Sequence, residues 1–382
     1  MNAAVAVTGM GAMSACGPDL ASLEAALLVG WDGLATGIMA DLPLAARYPV
    51  AAVAGALGGG PRGVALAQQA AVEAMAMAGI DNRQLGLAVG SCTGGMRTTE
   101  SIYLVEGPQV AHRAYASQPV GSTAAALVRR LGLGGPVTTH AEACASAAAA
   151  MSEAMEWIRA GLCPAVLVVG VDPLTRVTMS GFASLQVIDA QGCRPFSQER
   201  AGMSLGEGAV ALVLEATDHA RARGARPLAS LLGWGMQTEG HHQTAPEPTG
   251  IWLNRAIEAA LGDAGAQASS IGFVVAHGTG TSDNDAVEAA VLSRMMPQAP
   301  VASVKRTVGH TMGAAAAFNL VAACLAVRRG KLSVTAGGGS DLPGLDVVRQ
   351  ARSATIDLAM VTCLAFGGVD AAIVVGSGDR CR

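Results

Sequence analysis

Residues 145–171 read ASAAAAMSEAMEWIRAGLCPAVLVVGV and combine a helix and a strand in one short stretch. The first part, Ala145–Ala160, is rich in alanine and other strong helix formers, so it predicts a long helix. The second part, Pro164–Val171, is almost entirely apolar and short, so it predicts a strand that is buried on both faces. Such strands occur in sheets that helices cover on both sides, which indicates an α/β fold.

Short apolar runs and alanine-rich runs alternate in the same way along the rest of the chain. A strand is predicted at Ala4–Thr8, where Gly9 ends the run. The other predicted elements are the helices Asp19–Leu28, Arg62–Ala78, Thr123–Leu131, Thr249–Ala264, Asp285–Met296 and Met312–Arg328, and the strands Leu85–Val89, Gly208–Leu214, Pro227–Gly233, Ile271–Ala276, Val361–Phe366 and Ala371–Gly376. No Pro- or Ser-rich linker divides the chain, so we predict two packed lobes, residues 1–222 and 223–382.

The composition excludes several functional classes. With 51% hydrophobic residues the chain can bury a sizeable core, which argues against disorder. The 25 Lys and Arg residues against 29 Asp and Glu give a net charge of −4, and no basic run exceeds two residues, which argues against nucleic-acid binding. Aromatic residues make up only 3% of the chain, so small apolar residues must build a closely packed core.

The hydropathy pattern does not predict a membrane span. The longest apolar stretch, Met312–Val327, is interrupted by Asn319 and is shorter than the roughly 20 residues that cross a bilayer. The N-terminal sequence lacks the positively charged start of a secretory signal. The 8 cysteines form no CxxC pair, which indicates neither a zinc ribbon nor a disulfide scaffold. Together these features predict a cytoplasmic location.

Cys144 lies in HAEACASAAAAM, His140–Met151, where a strand-like segment gives way to a helix. A helix N-terminus offers free N–H groups and a partial positive charge, which lower the pKa of a thiol and bind a negative oxygen. Small neighbours leave the sulfur approachable. The alternative is a buried structural cysteine, which Glu142 favours because a nearby carboxylate raises the pKa of a thiol.

Two further segments carry histidines on loops. His277 ends a predicted buried strand and opens the glycine- and threonine-rich loop HGTGT, a place where α/β proteins carry functional groups. In KRTVGHTMGAAA, Lys305 and His310 precede an apolar helix, and Gly309 lets the backbone bring His310 against a neighbour. From the residues alone, structural histidines and a solvated lysine remain alternatives.

A fourth segment, CLAFGGVDAAIVVG, carries a glycine pair after Phe366 that permits a backbone N–H group to point into a site. These segments occur in the order Cys, His, Lys-His, Phe-Gly-Gly, and the stretches VAVTGMGAMSACG, GPVTTHAEAC and RPFSQERAGMSLGEGAVALVLE accompany them. Taken together they resemble the β-ketoacyl synthase family over nearly the whole chain. The resemblance implies the thiolase-like α/β fold, in which two duplicated halves form a five-layered αβαβα core.

The resemblance also implies residue roles. Cys144 would be the nucleophile that takes an acyl group from a carrier thioester, and malonyl thioester would then lose CO₂ and attack it. His277 and His310, as neutral imidazoles that donate from Nε2, would bind the malonyl thioester oxygen. The backbone N–H groups of Cys144 and Phe366 would form a separate oxyanion hole.

Supporting residues follow from the same resemblance. Lys305 would pair with Glu288, as a buried pair that orients the histidines, since either charge alone would be costly. Phe366, beside Gly367, would gate the acyl pocket, and Thr279 and Thr281 belong to the HGTGT loop. The match explains the Cys/His/His set without a metal, so neither a metal nor a cofactor is predicted, although zinc is the alternative that such a set suggests.

Several residues depart from the family pattern. Val369 and Asp370 stand where threonine and asparagine are usual, Ala201 replaces an acidic residue, and Glu142 replaces a threonine. These departures favour the hypothesis of a specialised or secondary-metabolic synthase, which a gene neighbourhood of core fatty-acid genes would contradict. A non-catalytic partner subunit of a ketosynthase heterodimer (a chain-length factor) and a coenzyme A-dependent condensing enzyme are the alternatives.

The predicted partners are acyl carrier protein and a second ketosynthase-like subunit, in a homodimer or a heterodimer. Arg129 and Arg130, on a helix ahead of the nucleophile segment, could meet an acidic carrier protein. A solvated basic helix end is the alternative reading of this pair.

Overall fold

Ten strands form one hydrogen-bonded sheet in the computed structural model, which describes residues 3–55, 57, 60–109 and 111–381. The first half contributes β1 (Val5–Met13), β2 (Leu85–Gly90), β3 (Val137–His140), β4 (Ala165–Asp172) and β5 (Gly208–Ala216). The second half contributes β6 (Ala229–Thr238), β7 (Phe273–Val275), β8 (Val301–Ala302), β11 (Leu358–Ala365) and β12 (Val369–Ser377), while β9 (Lys331–Leu332) and β10 (Arg352–Ser353) form a separate pair.

The strand order is the same in the two halves. It runs third, second, fourth, fifth, first, as β3-β2-β4-β5-β1 and as β8-β7-β11-β12-β6 in the opposite direction. In each half the second strand pairs in parallel with the third and the fourth, and the fifth pairs antiparallel with the fourth and the first. The halves meet where β1 pairs antiparallel with β6. This repeated order confirms the predicted duplicated architecture, and the boundary at residue 222 stays a prediction.

Helices cover the two outer faces of the sheet and also lie between its two halves. They are α1 (Leu20–Val29), α2 (Arg62–Ala78), α3 (Met96–Glu106), α4 (Ser122–Leu131), α5 (Ser146–Arg159), α6 (Arg176–Ser184), α7 (Thr217–Ala222), α8 (Ile251–Ala264), α9 (Ser282–Met295), α10 (Lys305–Val308) and α11 (Ala315–Arg329). Helices α2 and α4 pack on one outer face and α8 and α9 on the other, while α5 and α11 pack against each other between the halves. The result is five layers, αβαβα.

The alanine-rich sequence of α11 follows from its central position. With its preceding 3-10 turn, Met312–Ala314, this segment is long and apolar enough to meet the criteria of a membrane span. In the structure, however, 89% of residues 312–329 are buried, as in the core helix of a globular protein. The small side chains let α11 lie close to α5 and to both halves of the sheet.

Gly9 does not end the first strand, as the sequence suggested. Strand β1 continues to Met13 with a shift of register between Val7 and Gly9. A Cβ atom at Gly9 would lie 2.1 Å from the carbonyl oxygen of Ala74 in α2, so glycine is needed for the close approach of that helix. The sequence prediction was wrong because it treated this glycine as a strand terminator.

Candidate active site

Cys144 lies at the entrance to α5, in the 3-10 turn Ala143–Ala145 that follows β3. The backbone of Ala143 is in the left-handed region, with φ 47°, which is uncommon for a residue with a side chain and occurs often at functional sites. The side chain of Cys144 is buried, and its Sγ atom lies 3.0 Å from Nε2 of His310. The predicted nucleophile is therefore in contact with one of the two predicted histidines.

Burial raises the pKa of the Cys144 thiol to about 11, although hydrogen bonds from the N–H groups of Phe366 and Cys144 and the charge of Lys305 act in the opposite direction. The N–H group at the helix start does lower this pKa, as the sequence analysis expected, but removal from water outweighs it, so the net shift is upward. The carboxylate that adds to the increase is Asp172. Glu142 instead lies with Oε1 3.5 Å from Nδ1 of His140.

His310 is held in one tautomer by the backbone. The N–H group of Met312 donates to Nδ1 of His310 at 3.3 Å, so the ring proton of the neutral imidazole is on Nε2, which faces Cys144. Burial, followed by the positive charge of Lys305, lowers the pKa of His310 to about 3. The ring is therefore neutral at physiological pH and can donate from Nε2.

His277 completes the group from the other half of the molecule. Its ring lies nearly perpendicular to that of His310, with the ring centroids 5.2 Å apart and an angle of 85°. Burial lowers the pKa of His277 well below its usual value, and Lys305 adds to the decrease. The thiol of Cys363 lies 3.6 Å from Nδ1 of His277 and donates to the carbonyl of Cys144 at 3.2 Å. The sequence analysis missed Cys363, since a lone cysteine in a strand carries no signal.

Glu288 holds the loop that carries His277. Its carboxylate accepts the N–H groups of His277 and Gly278, both at 2.8 Å, and the hydroxyl of Thr362 at 2.6 Å. These three donors explain how the carboxylate of Glu288, which is fully buried in α9, can be accommodated.

The predicted pairing of Lys305 with Glu288 was wrong. Among the described residues the structure has no ion pair between them, and Nζ of Lys305 has no hydrogen-bond partner there. Burial lowers the pKa of Lys305, and the thiol of Cys363 and the carboxylate of Glu288 counteract this from a distance. The positive charge acts on the site through space, because it is a cause of the lowered pKa of both histidines.

Thr279 and Thr281 lie on the same loop, with their hydroxyl oxygens 2.9 Å apart. Asp285 holds this loop from the first turns of α9, because it accepts the N–H group of Gly280 at 3.1 Å and that of Phe196 at 2.6 Å. Sequence reasoning missed Asp285. Both threonines line the cleft that leads to Cys144.

Phe366 is half-buried at the turn between β11 and β12. Its ring stacks on Phe182, with the centroids 5.4 Å apart and an angle of 27°. The next residue, Gly367, has φ 87°, which favours glycine, and its N–H group donates to the carbonyl of Gln243 at 2.8 Å. The turn thus aims the N–H group of Phe366 at the Cys144 thiol and places the ring at the cleft.

Asp172, at the end of β4, joins loops from both halves and was missed by the sequence analysis. From the first half it accepts hydrogen bonds from the hydroxyl of Ser91 at 2.8 Å and from the N–H groups of Cys92 at 2.8 Å and Thr93 at 2.9 Å. It also accepts the N–H group of Gly313, three residues after His310, at 2.7 Å. An aspartate that ends an all-apolar strand was the available signal.

A cleft lined by both apolar and polar residues contains these groups. Its lining residues are Cys144, Val187, Met203, Glu239, Thr244, Ala245, Pro246, His277, Thr279, Thr281, Ser282, Asp283, Asn284, His310, Leu364, Ala365, Phe366 and Asp370. The ligand atoms of Cys144, His277 and His310 lie within 4.8 Å of one another, so they could hold a metal by distance alone. The absence of a metal stays a prediction.

Comparison with known proteins identifies the family. Residues 62–220 match the family model of the β-ketoacyl synthase N-terminal domain, and residues 228–338 match that of the β-ketoacyl synthase C-terminal domain. The chain belongs to the β-ketoacyl synthase family. This confirms the resemblance read from the motifs, and it makes the protein a member of a family of acyltransferase enzymes.

Individual relatives support the family assignment. Nodulation protein E of Rhizobium meliloti (strain 1021) is 35% identical over 325 residues, which cover 81% of this chain and 80% of the relative. The 3-oxoacyl-[acyl-carrier-protein] synthase 2 of Staphylococcus aureus is 30% identical over 308 residues, 76% of each chain. Both similarities extend through most of the molecule.

Two solved structures confirm the thiolase-like fold. The ishigamide ketosynthase/chain length factor has a TM-score of 0.92 and 28% identity, over 99% of this chain and 100% of that chain. A type II polyketide synthase ketosynthase solved with its acyl-carrier protein, AntDE:AntF, has a TM-score of 0.90 and 26% identity over the same shares of the chains.

Proposed function

We propose that this ketosynthase catalyses decarboxylative condensation of an acyl thioester with malonyl-[acyl-carrier-protein], in fatty-acid or polyketide-type biosynthesis. The observation that carries the proposal is the contact of the Cys144 sulfur with Nε2 of His310, beside a second neutral histidine, His277. An intact nucleophile argues against the alternative of a non-catalytic chain-length factor, although chain length factors occur in the names of similar structures.

In the first step, the sulfur of Cys144 attacks the acyl thioester. The new C–S bond replaces the bond to the carrier, and the thiol proton ends on the departing carrier thiol. The carbonyl oxygen gains negative charge, and the N–H groups of Cys144 and Phe366, which both point at the sulfur, are suited to bind it.

In the second step, the malonyl C–C bond breaks, CO₂ leaves and its bonding electrons form an enolate. His277 and His310 donate to the enolate oxygen as it gains charge, for which neutral rings with a proton on Nε2 are suited. The enolate carbon then attacks the acyl group on Cys144, and the released thiolate takes up one proton.

Incubation with acyl- and malonyl-carrier thioesters tests this proposal. Mass spectrometry should find an acyl group on the peptide that contains Cys144 and, after malonyl addition, a 3-oxoacyl product with loss of CO₂. Failure to form an acyl-enzyme with any carrier or coenzyme A donor would contradict the enzyme assignment. Equal rates with coenzyme A donors would instead identify a coenzyme A-dependent condensing enzyme.

An acidic carrier protein is the proposed partner, and Arg129 and Arg130 support it. Both are exposed at the end of α4 and line a surface groove together with Arg62 and Arg97. Reversing both charges, R129E/R130E, should raise KM for carrier thioesters about tenfold or more at low salt and leave KM for a small pantetheine-like thioester unchanged.

Arg226→Glu is the matched control, since Arg226 is exposed in the other half of the molecule. It should leave both KM values unchanged. Equal losses in R129E/R130E and the control, or a loss with the small thioester as well, would show that the groove does not bind the carrier.

We also propose that the chain forms a dimer, either with a second copy of itself or with a related subunit. Strand β3 lies at an edge of the sheet, and Val137 on it is 47% exposed. Helix α3 presents Tyr103, Leu104 and Val105 to solvent, and none of its residues is buried. An open strand edge and apolar residues on an unpacked helix favour contact with a second subunit. A cytoplasmic location is proposed with the family assignment.

A further inference from the structure

Two carboxyl groups lie in contact on one wall of the cleft. Asp370, near the start of β12, is 1% exposed, and the pairing of β12 with β6 brings its carboxyl group beside that of Glu239, which follows β6 and is 9% exposed. The backbone fixes the contact, because the N–H group of Glu239 donates to the carbonyl of Gly368 at 2.7 Å and that of Glu247 donates to Oε2 of Glu239 at 3.0 Å. Both carboxyls line the cleft that contains Cys144.

The contact requires a proton. A carboxylate only accepts hydrogen bonds, so Asp370 must hold a proton if its carboxyl group is to bond to the carboxylate of Glu239. Oδ2 of Asp370 accepts no hydrogen bond from the residues that the structure describes, so no N–H or O–H donor stabilises a charge there. The β-ketoacyl synthase pattern has asparagine at this position, and asparagine cannot ionise.

The surroundings of the pair are acidic. Glu247 lies on the loop before α8, Glu288 belongs to α9, and Asp283 at the start of α9 also lines the cleft. Burial first, and then the charges of Glu239, Glu288 and Glu247, raise the pKa of Asp370 to about 8. The facing groups from the catalytic side are the neutral rings of His277 and His310 and the cation of Lys305 behind them.

We propose that Asp370 and Glu239 are specificity-determining residues that admit a carboxylate-bearing donor thioester only while the pair holds its shared proton. With the proton the pair carries one negative charge, and without it two. The second charge repels the carboxylate of a malonyl donor, whereas an acyl thioester without a carboxylate is unaffected. The inference rests on the proposed condensation and adds a pH limit to its donor step.

The histidines and the cysteine of the cleft do not titrate in the pH range in which this limit is expected. The pKa values of His277 and His310 are lowered, so neither ring titrates above neutral pH, and the pKa of Cys144 is about 11. Lys305, whose pKa is also lowered, is a competing titratable cation near the site. Replacement of Asp370 distinguishes the two origins, since it removes the proton-sharing pair and keeps Lys305.

The test compares two half-reactions between pH 6.5 and about 9.5 in the whole protein. In the wild type, kcat/KM for malonyl-carrier thioester should fall about tenfold per pH unit above the pKa of the pair, while acylation of Cys144 by a saturated acyl thioester does not fall. In Asp370→Asn, which restores the family residue, the decline of the donor step should disappear. Asp283→Asn removes a carboxyl from the same cleft and should keep the decline.

Three outcomes overturn the inference. They are a donor step without an alkaline decline in the wild type, a decline that persists in D370N, and an equal decline of acylation. Infrared spectroscopy of the carboxyl groups gives a measure without turnover: a protonated-carboxyl band should vanish across the same pH range and be absent in D370N and in Glu239→Gln. If acyl-enzyme forms but no condensation occurs at any pH, the proposed function itself fails, and the inference with it.

Discussion

Replacing Cys144 with alanine is expected to abolish condensation, with the 3-oxoacyl product reduced on the order of 10⁴-fold or more. The sulfur is the group that carries the acyl chain between the two steps, and the hydroxyl and thiol groups near it, such as Cys363, are engaged in other hydrogen bonds. Cys144→Ser places a hydroxyl oxygen where the sulfur was. A hydroxyl is a weaker nucleophile than a thiol, so this variant should recover little of the activity that Cys144→Ala loses.

The two histidines provide the internal check on this variant. Cys144→Ala keeps His277 and His310, so malonyl decarboxylation should continue without condensation. Cys163→Ala is the matched control, because Cys163 is also a buried free cysteine but does not line the cleft. If C144A retained condensation, or if the acyl group appeared on Cys163, Cys144 would not be the nucleophile.

The sequence predicted the layers because burial leaves a local pattern. The all-apolar run of β4 and the alanine-rich run of α5 reflect positions that are covered on every side, and the structure has them at Ala165–Asp172 and Ser146–Arg159. Short exposed or irregular elements such as α3 were missed, since their sequences show neither the period-2 alternation of a strand nor the apolar stripe of a packed helix. The extent of β1 was missed because the role of Gly9 depends on α2, a distant segment.

The residues of the site were predicted from motifs, but not their interactions. The family resemblance implied that Glu288 pairs with Lys305, whereas its carboxylate accepts hydrogen bonds from the backbone N–H groups of His277 and Gly278 in the HGTGT loop. Hydrogen bonds to the backbone leave no pattern in residue types, so charge complementarity was the wrong guide. The pKa of Cys144 was misjudged for a related reason, because desolvation depends on packing from all sides and not on the helix that follows.

Glu239 shows a third reason why parts of the site could not be predicted from the sequence. Asp370 was singled out as a departure from the family pattern, but its meaning depends on a partner more than a hundred positions earlier in the chain, brought to it by the pairing of β12 with β6. An isolated buried aspartate would be expected to bind a donor. Only its position beside Glu239 leads to the proposal of a proton-sharing pair.

Replacing either histidine with alanine is expected to slow malonyl decarboxylation by about 10²- to 10³-fold, the usual cost of one lost donor to a developing oxyanion. Both rings are neutral, because burial lowers the pKa of each, so they act as hydrogen-bond donors and not as cations. The rate should therefore not increase as pH falls from 7 to 6, a range below the titration of Asp370. The measurement is release of CO₂ from malonyl-carrier thioester at saturating concentration.

The geometry distinguishes the two rings. Nε2 of His310 touches the Cys144 sulfur at 3.0 Å, so His310→Ala should also change the rate of Cys144 acylation. His277 lies against His310 and Cys363, so His277→Ala should slow decarboxylation and leave acylation within about twofold.

Asparagine variants complete the test, because the amide NH2 group of asparagine keeps hydrogen-bond donors on a shorter side chain. His310→Asn should recover part of the decarboxylation rate that His310→Ala loses, whereas a role as a proton acceptor predicts no such recovery. If either alanine variant decarboxylated malonyl thioester at the wild-type rate, its histidine would not bind the enolate oxygen. If both did, stabilisation of the enolate would have to come from the backbone N–H groups of Cys144 and Phe366 alone.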